Sequence, residues 1–312
     1  MRTPTSRSDA VTVGVHGVHP NLRILALALA LAALALVPAL GATEPVQATD
    51  DSGHRIVLAQ PARRVISLAP NLTELAFAAG GGERIVGVGR YSDAPAAARR
   101  LPQVGDAFAL NLEAMAALKP DLILLWRSGT APRQRERLQA LGVPVFESEI
   151  NRIDGIASTL QRLGTLMGTS AAAQTAATQQ QQRWQQLAER YRGRPAVRVL
   201  YVAWHQPLMT LNREHLIHAA MSLCGGVNPF ADLPVLTPTV SLEAAVQADP
   251  QLIVSAPGEL ADVQAQWAPF KQVSAVRQHR IVGLDADLLT RMGPRFIDGA
   301  EQLCAAIDAA RH

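Results

Sequence analysis

Three aromatic residues occupy comparable places along the chain, each just past a short apolar run: Tyr91 after residues 84–88, Trp126 after 122–125 and Trp204 after 199–202. If those runs are parallel strands, the rings lie beyond their carboxyl ends, where open α/β sheets bind ligands, and they would project into one shared crevice. Only 4% of the chain is aromatic, so three rings at equivalent positions are unlike scattered surface aromatics. Catalytic spacings are missing: there is no GxSxG, HExxH, GxxxxGK[ST] or helix-opening GxGxxG. An enzyme is therefore not supported. Among the histidines after residue 42, His215 and His218 are the closest pair, at i and i+3 of one helix, and they are expected on solvated helix surface rather than on a metal.

Cys224 and Cys304 are the only cysteines. In an oxidising compartment such a pair reads as one disulfide, with two buried free thiols as the alternative, and closing a loop of about 80 residues contributes about 4 kcal/mol in the chain-entropy model. Cys224 is expected at the end of a helix stopped by Gly225 and Gly226, and Cys304 on the apolar face of the last helix.

The elements that must position these groups alternate. Strands are expected at 64–68, 84–88, 122–125 and 143–146, with helices at 71–79, 113–118 and 133–141 between them, and the alternation resumes at 197–202. Such βαβ alternation predicts two α/β lobes built on parallel sheets. Between them, residues 170–192 carry strong helix formers with Trp184, Leu187 and Tyr191 at i, i+3 and i+7, which predicts one helix of roughly 35 Å rather than a Gln-rich linker. An internal repeat supports the pairing of lobes. Asn111-Leu112-Glu113-Ala114 leads through Lys119-Pro120-Asp121 to an apolar strand, and Ser241-Leu242-Glu243-Ala244 leads through Asp249-Pro250-Gln251 to another. Each unit has an N-cap residue, an acid in the first turn, a short helix, a proline and a strand.

The N-terminus bears on compartment. Residues 24–37 form an uncharged run of 14, preceded by Arg23 and followed by Pro38 and small residues. As a helix the run spans roughly 21 Å, short of the ~30 Å hydrocarbon core, so a cleaved secretory signal over 1–42 is expected, with an uncleaved anchor as the alternative. No Cys follows the run to take a lipid. The formal charge of +3 falls to about +1 once residues 1–42 leave with three Arg and one Asp, which excludes a nucleic-acid footprint. The expected divisions are a signal peptide at 1–42, an N-terminal extension at 43–62, a first lobe at 63–167, an interlobe helix at 168–193 and a second lobe at 194–312.

Residues 65–75 (VISLAPNLTEL), Tyr91-Ser92-Asp93, Trp126-Arg127, Cys224-Gly225-Gly226, Asn228-Pro229-Phe230, Val240-Ser241 with Glu243, and Asp287 to Arg291 with Pro294-Arg295 resemble the periplasmic binding proteins of ABC importers whose lobes are joined by one rigid helix. The likeness is strongest to the cobalamin-binding branch and spans roughly residues 63–308. It implies a periplasmic, monomeric protein that carries a corrinoid as cargo, uses no catalytic cofactor, and docks on an importer permease with its ATPase. Carried over position by position, it implies that Tyr91, Trp126, Asp287 and Arg291 touch the ligand, with Trp204 displaced by one residue from the family's aromatic. Thr237 stands where the family has a Trp. Glu243 matches the acid with which the second lobe docks; the first-lobe position is read as Pro132, with Glu136 one helical turn on as a substitute. Haem or a ferric siderophore is the alternative cargo, for which Tyr91 or His205 could supply an axial ligand to haem iron.

Overall fold

The computed structural model describes residues 44–106 and 108–312, so the expected signal peptide lies outside the described residues. Residues Pro45–His312 form one compact unit. The first lobe contains a parallel sheet of β3 (Val65–Ser67), β4 (Ile85–Val88), β5 (Leu122–Trp126) and β6 (Val145–Ser148), in the order β4-β3-β5-β6. The second contains β7 (Val197–Tyr201), β10 (Gly226–Val227), β11 (Leu252–Ser255) and β12 (Ile281–Gly283), also parallel, in the order β10-β7-β11-β12. Two antiparallel hairpins complete the strands: β1 (Val46–Thr49) with β2 (Arg55–Leu58), and β8 (Trp204–His205) with β9 (Leu208–Met209).

The helices are α1 (Pro70–Ala76), α2 (Leu112–Ala117), α3 (Pro132–Gln139), α4 (Ile153–Met167), α5 (Ser170–Tyr191), α6 (Leu216–Leu223), α7 (Leu242–Gln247), α8 (Leu260–Trp267), α9 (Ser274–Arg277), α10 (Ala286–Thr290) and α11 (Phe296–Ala309). The fold is a two-lobed α/β architecture with α5 as its single long connector.

The strands are apolar on both faces because both faces are covered. Leu122 and Leu124 face the central core, as do Val199, Tyr201, Leu252 and Val254. Ile123 and Leu125 face an outer cluster of the first lobe, while Leu200, Val202 and Ile253 face an outer cluster of the second. The central core is continuous: it runs from the first sheet through α4, α5 and α11 into the second sheet. Ala173, Ala177, Leu187 and Tyr191 form the buried stripe of α5, with Trp184 packed beside it against Phe296, ring centroids 6.5 Å apart. Arg183 ties the same helix to Asp298 at 2.7 Å and Glu301 at 3.0 Å on α11.

Residues 44–62 are more than an appendage. Hairpin β1–β2 packs on the first lobe, with the Asp51 backbone N–H donating to the Glu147 carbonyl at 2.9 Å and its carboxylate pairing with Arg162 at 2.7 Å. Cys224 caps α6 and is bonded to Cys304 on α11, Cα atoms 5.1 Å apart, in the buried core.

The internal repeat holds at atomic detail. Asn111 and Ser241 cap α2 and α7 by accepting from the N–H of Ala114 and Ala244 at 3.0 and 3.1 Å. Lys119 and Asp249 both take the left-handed conformation, with φ of 46° and 42°, before Pro120 and Pro250. The next residue of each unit then accepts from the start of the neighbouring chain segment: Asp121 from the Arg63 and Arg64 N–H groups just before β3, Gln251 from the Arg198 N–H in β7.

Candidate functional site

Both sheets are parallel, and their carboxyl ends carry the expected aromatics. Tyr91 lies in the loop leaving β4 and is 67% exposed, Trp126 is the last residue of β5 and 38% exposed, and Trp204 in β8 is 50% exposed. Rings this exposed lack the packing that normally covers them, which fits a ligand-facing role.

Each ring is aimed by its surroundings. A buried chain of hydroxyls pins the Tyr91 loop: the Thr73 hydroxyl on α1 lies 2.9 Å from that of Ser67 and 3.1 Å from that of Ser92. The Gly89 N–H donates to the Ser67 carbonyl at 2.7 Å, and a Cβ at Gly89 would lie 2.6 Å from the Leu68 carbonyl oxygen, so only glycine permits this approach. Tyr91 itself adopts φ 67°, a conformation costly for a residue with a side chain and common at ligand sites. The indole of Trp126 rests on Gly129, where a Cβ would meet the ring at 2.0 Å. Trp204 donates its indole N–H to the Gln206 carbonyl at 2.7 Å, which orients its ring on the β8–β9 turn.

Asp287 and Arg291, on α10 and at its end, form an ion pair at 2.9 Å. Arg291 reaches across to the first lobe, to Asp93 at 2.5 Å and Glu74 at 3.5 Å. Arg295 grips the same Glu74 with two nitrogens at 2.9 and 2.6 Å. The hydrogen bond from Arg291 holds the Asp93 carboxyl below its ordinary value, against the opposing effect of burial. Three acids and two arginines thus join the lobes beside Tyr91. Asp93 and Arg295 lie in motifs visible in the sequence, but the pairing of Asp93 with Arg291 and of Arg295 with Glu74 across the lobes had no local signal.

Phe108 was also not anticipated, although it is 84% exposed. Its N–H donates to Asp106 at 3.0 Å and its carbonyl accepts from the buried Gln134 side chain at 2.8 Å. Asp106 in turn faces Arg90, next to Tyr91, at 3.6 Å. The signal was present as an aromatic in the loop between β4 and α2, but it follows no strand directly. In the second lobe Thr237 is half-buried, beside exposed Val235 and Leu236.

The histidine expectation needs correction. His215 does not lie on solvated helix surface; it is the N-cap of α6, its ring accepting from the Ile217 N–H at 3.2 Å. Burial, with a smaller contribution from His218, pushes its pKa down to about 4. His218 bridges toward Ser222 at 3.1 Å and Asn228 at 3.4 Å. Both rings are spent on local structure.

Glu243 is exposed in the first turn of α7, and Glu136 is exposed on α3, which opens at Pro132. Glu136 has no counterpart in the second repeat unit. Glu113 does: it occupies in α2 the place Glu243 holds in α7, and it is equally exposed.

A family model described as periplasmic binding protein matches residues 65–288. The chain is 37% identical over 251 residues to the vitamin B12-binding protein of Vibrio cholerae serotype O1, which covers 80% of this chain and 91% of that one. It is 40% identical over 248 residues to the vitamin B12-binding protein of Yersinia pestis, covering 79% and 86%. The crystal structure of the periplasmic vitamin B12 binding protein BtuF of Vibrio cholerae superposes with a TM-score of 0.73, covering 80% of this chain and 98% of that one.

Proposed function

This chain belongs to the periplasmic binding protein family, and we propose that it captures a corrinoid of the vitamin B12 class in the periplasm and delivers it to an ABC importer. The observation that carries this reading is the set of exposed rings at the carboxyl ends of parallel strands in both lobes: Tyr91, Trp126 and Trp204. A corrinoid is a broad disc with apolar faces and an amide-bearing edge. Flat rings cover its faces, while Asp287 and Arg291 bond its edge. The protein acts as a carrier and not an enzyme, releasing its cargo unchanged.

Docking on the permease uses one acid per lobe. Glu243 serves the second lobe, and the repeat favours Glu113 over Glu136 for the first, because Glu113 and Glu243 are related by the equivalence of the two units. Acids in the first turn of a helix are favoured by its dipole and stay exposed to a cationic partner.

Titration of the purified protein with cyanocobalamin in a calorimeter tests the cargo. Saturable binding of one corrinoid is expected. No binding, together with hemin capture whose spectrum changes in Tyr91→Phe, would overturn the reading in favour of haem.

A further inference from the structure

Apart from His218, one histidine in the second lobe is neither a helix cap nor exposed. His205 ends β8, just past the carboxyl end of β7, and Glu259 lies just past the carboxyl end of β11, the strand paired with β7. The His205 Nδ1 is 3.3 Å from the Glu259 Oε2, and the two side chains are only 20% and 19% exposed. With the Nδ1–H donating to that carboxylate, Nε2 keeps its lone pair, and no other described group bonds the ring. The backbone is fixed as well, since the Gln266 amide donates to the His205 carbonyl at 3.2 Å. Trp204, one of the three ligand-facing aromatics, stands beside it with ring centroids 6.0 Å apart. Burial, with a contribution from the nearby Glu259, pushes the Tyr201 phenol up to about 12.

A carboxylate on one imidazole nitrogen and an open lone pair on the other is the arrangement that orients a metal-ligating histidine and raises its basicity. Imidazole also suits first-row transition metals. We propose that His205 is an axial ligand to the cobalt of the cargo, selecting corrinoids whose axial position carries exchangeable water. This rests on the corrinoid reading above. The step is a ligand exchange: water leaves cobalt(III), the Nε2 lone pair forms the cobalt–nitrogen bond, the proton stays on Nδ1, hydrogen-bonded to Glu259, and no electron is transferred. A cyanide-capped corrinoid offers no such leaving group, so it binds without this bond.

The test compares aquocobalamin with cyanocobalamin by visible spectroscopy after unbound corrinoid is removed. Wild-type protein is expected to shift the absorption of aquocobalamin and leave that of cyanocobalamin as in free solution. His205→Gln should abolish the shift, and Glu259→Gln should weaken aquocobalamin binding about tenfold or more, the range for a group that orients a ligand. Wild-type protein that binds both corrinoids with unaltered spectra overturns the assignment while leaving the corrinoid reading standing. A shift that persists in a folded His205→Gln overturns it in favour of another donor. Failure to bind either corrinoid fells the reading beneath it.

Discussion

The proposed recognition surface rests on single side chains, and their neighbours set how each is held. Trp126 is partly exposed and seated on Gly129. Covering its ring with ligand removes apolar area worth roughly 1–3 kcal/mol, so Trp126→Ala should weaken corrinoid binding about 5- to 150-fold. Gly129→Ala should weaken it too, because the new methyl occupies the place of the indole and forces the ring off its seat. Calorimetry that finds both variants equal to wild type would remove Trp126 from the site. The position of Tyr91 past a strand was legible in the sequence, because strand ends are local. Its left-handed backbone was not, since the hydroxyl chain through Ser67, Thr73 and Ser92 that holds its loop joins three separate segments.

At the level of elements, helix starts matter most. The N-cap of α6 is a histidine whose folded pKa is about 4, below the unfolded value near 6.5. Between those values the unfolded chain binds a proton that the folded chain does not, so stability is fully present above about pH 6.5 and declines as pH falls toward 4. The loss amounts to ~2 kcal/mol once solvent access to the ring is allowed for. His215→Asn keeps a capping side chain without the titration, and its melting temperature should fall less between pH 7.5 and 5 than that of wild type. An identical fall in both proteins would contradict the assignment. The starts of α2 and α7 make a second prediction. Glu113→Arg and Glu243→Arg should each reduce corrinoid uptake in cells that depend on this protein while leaving ligand affinity unchanged, whereas Glu136→Arg should leave uptake near wild type. Uptake that falls only with Glu136→Arg and Glu243→Arg would return the first-lobe role to α3. The sequence revealed the repeat through its caps, acids and prolines; only the matching left-handed turns at Lys119 and Asp249 turned likeness into equivalence.

Across the whole molecule, the two lobes share one core, one rigid helix and one charge cluster. Glu74 is only 4% exposed and is bonded by Arg295, with Arg291 at 3.5 Å. Glu74→Gln leaves two guanidinium groups partly buried with less counter-charge. Removing one partner of a buried pair costs several kcal/mol, but Arg295 is about one-third exposed, so a loss of about 1–3 kcal/mol is expected. Denaturant unfolding followed by circular dichroism measures it, and an unchanged midpoint would show that the cluster does not hold the lobes together. The same variant frees Arg291 from one first-lobe acid and leaves it with Asp93 and Asp287.

The alternation of apolar runs and helical stretches, the turn residues and the stripe of α5 determined by themselves that the chain makes two parallel α/β lobes on one long helix. Those signals are local: burial on both faces writes continuous apolar strands, and helix ends write their caps within four residues. The cysteine pair likewise limited the disulfide to a single bond, which the fold then placed in the core between the end of α6 and α11. What tertiary structure alone decided is which charges meet. Glu74 and Arg295 are 221 residues apart in sequence, and Asp93 and Arg291 are 198 apart. No periodicity links such residues, because the contact exists only once two separately wound sheets are set against the same helix and their loops converge on one side.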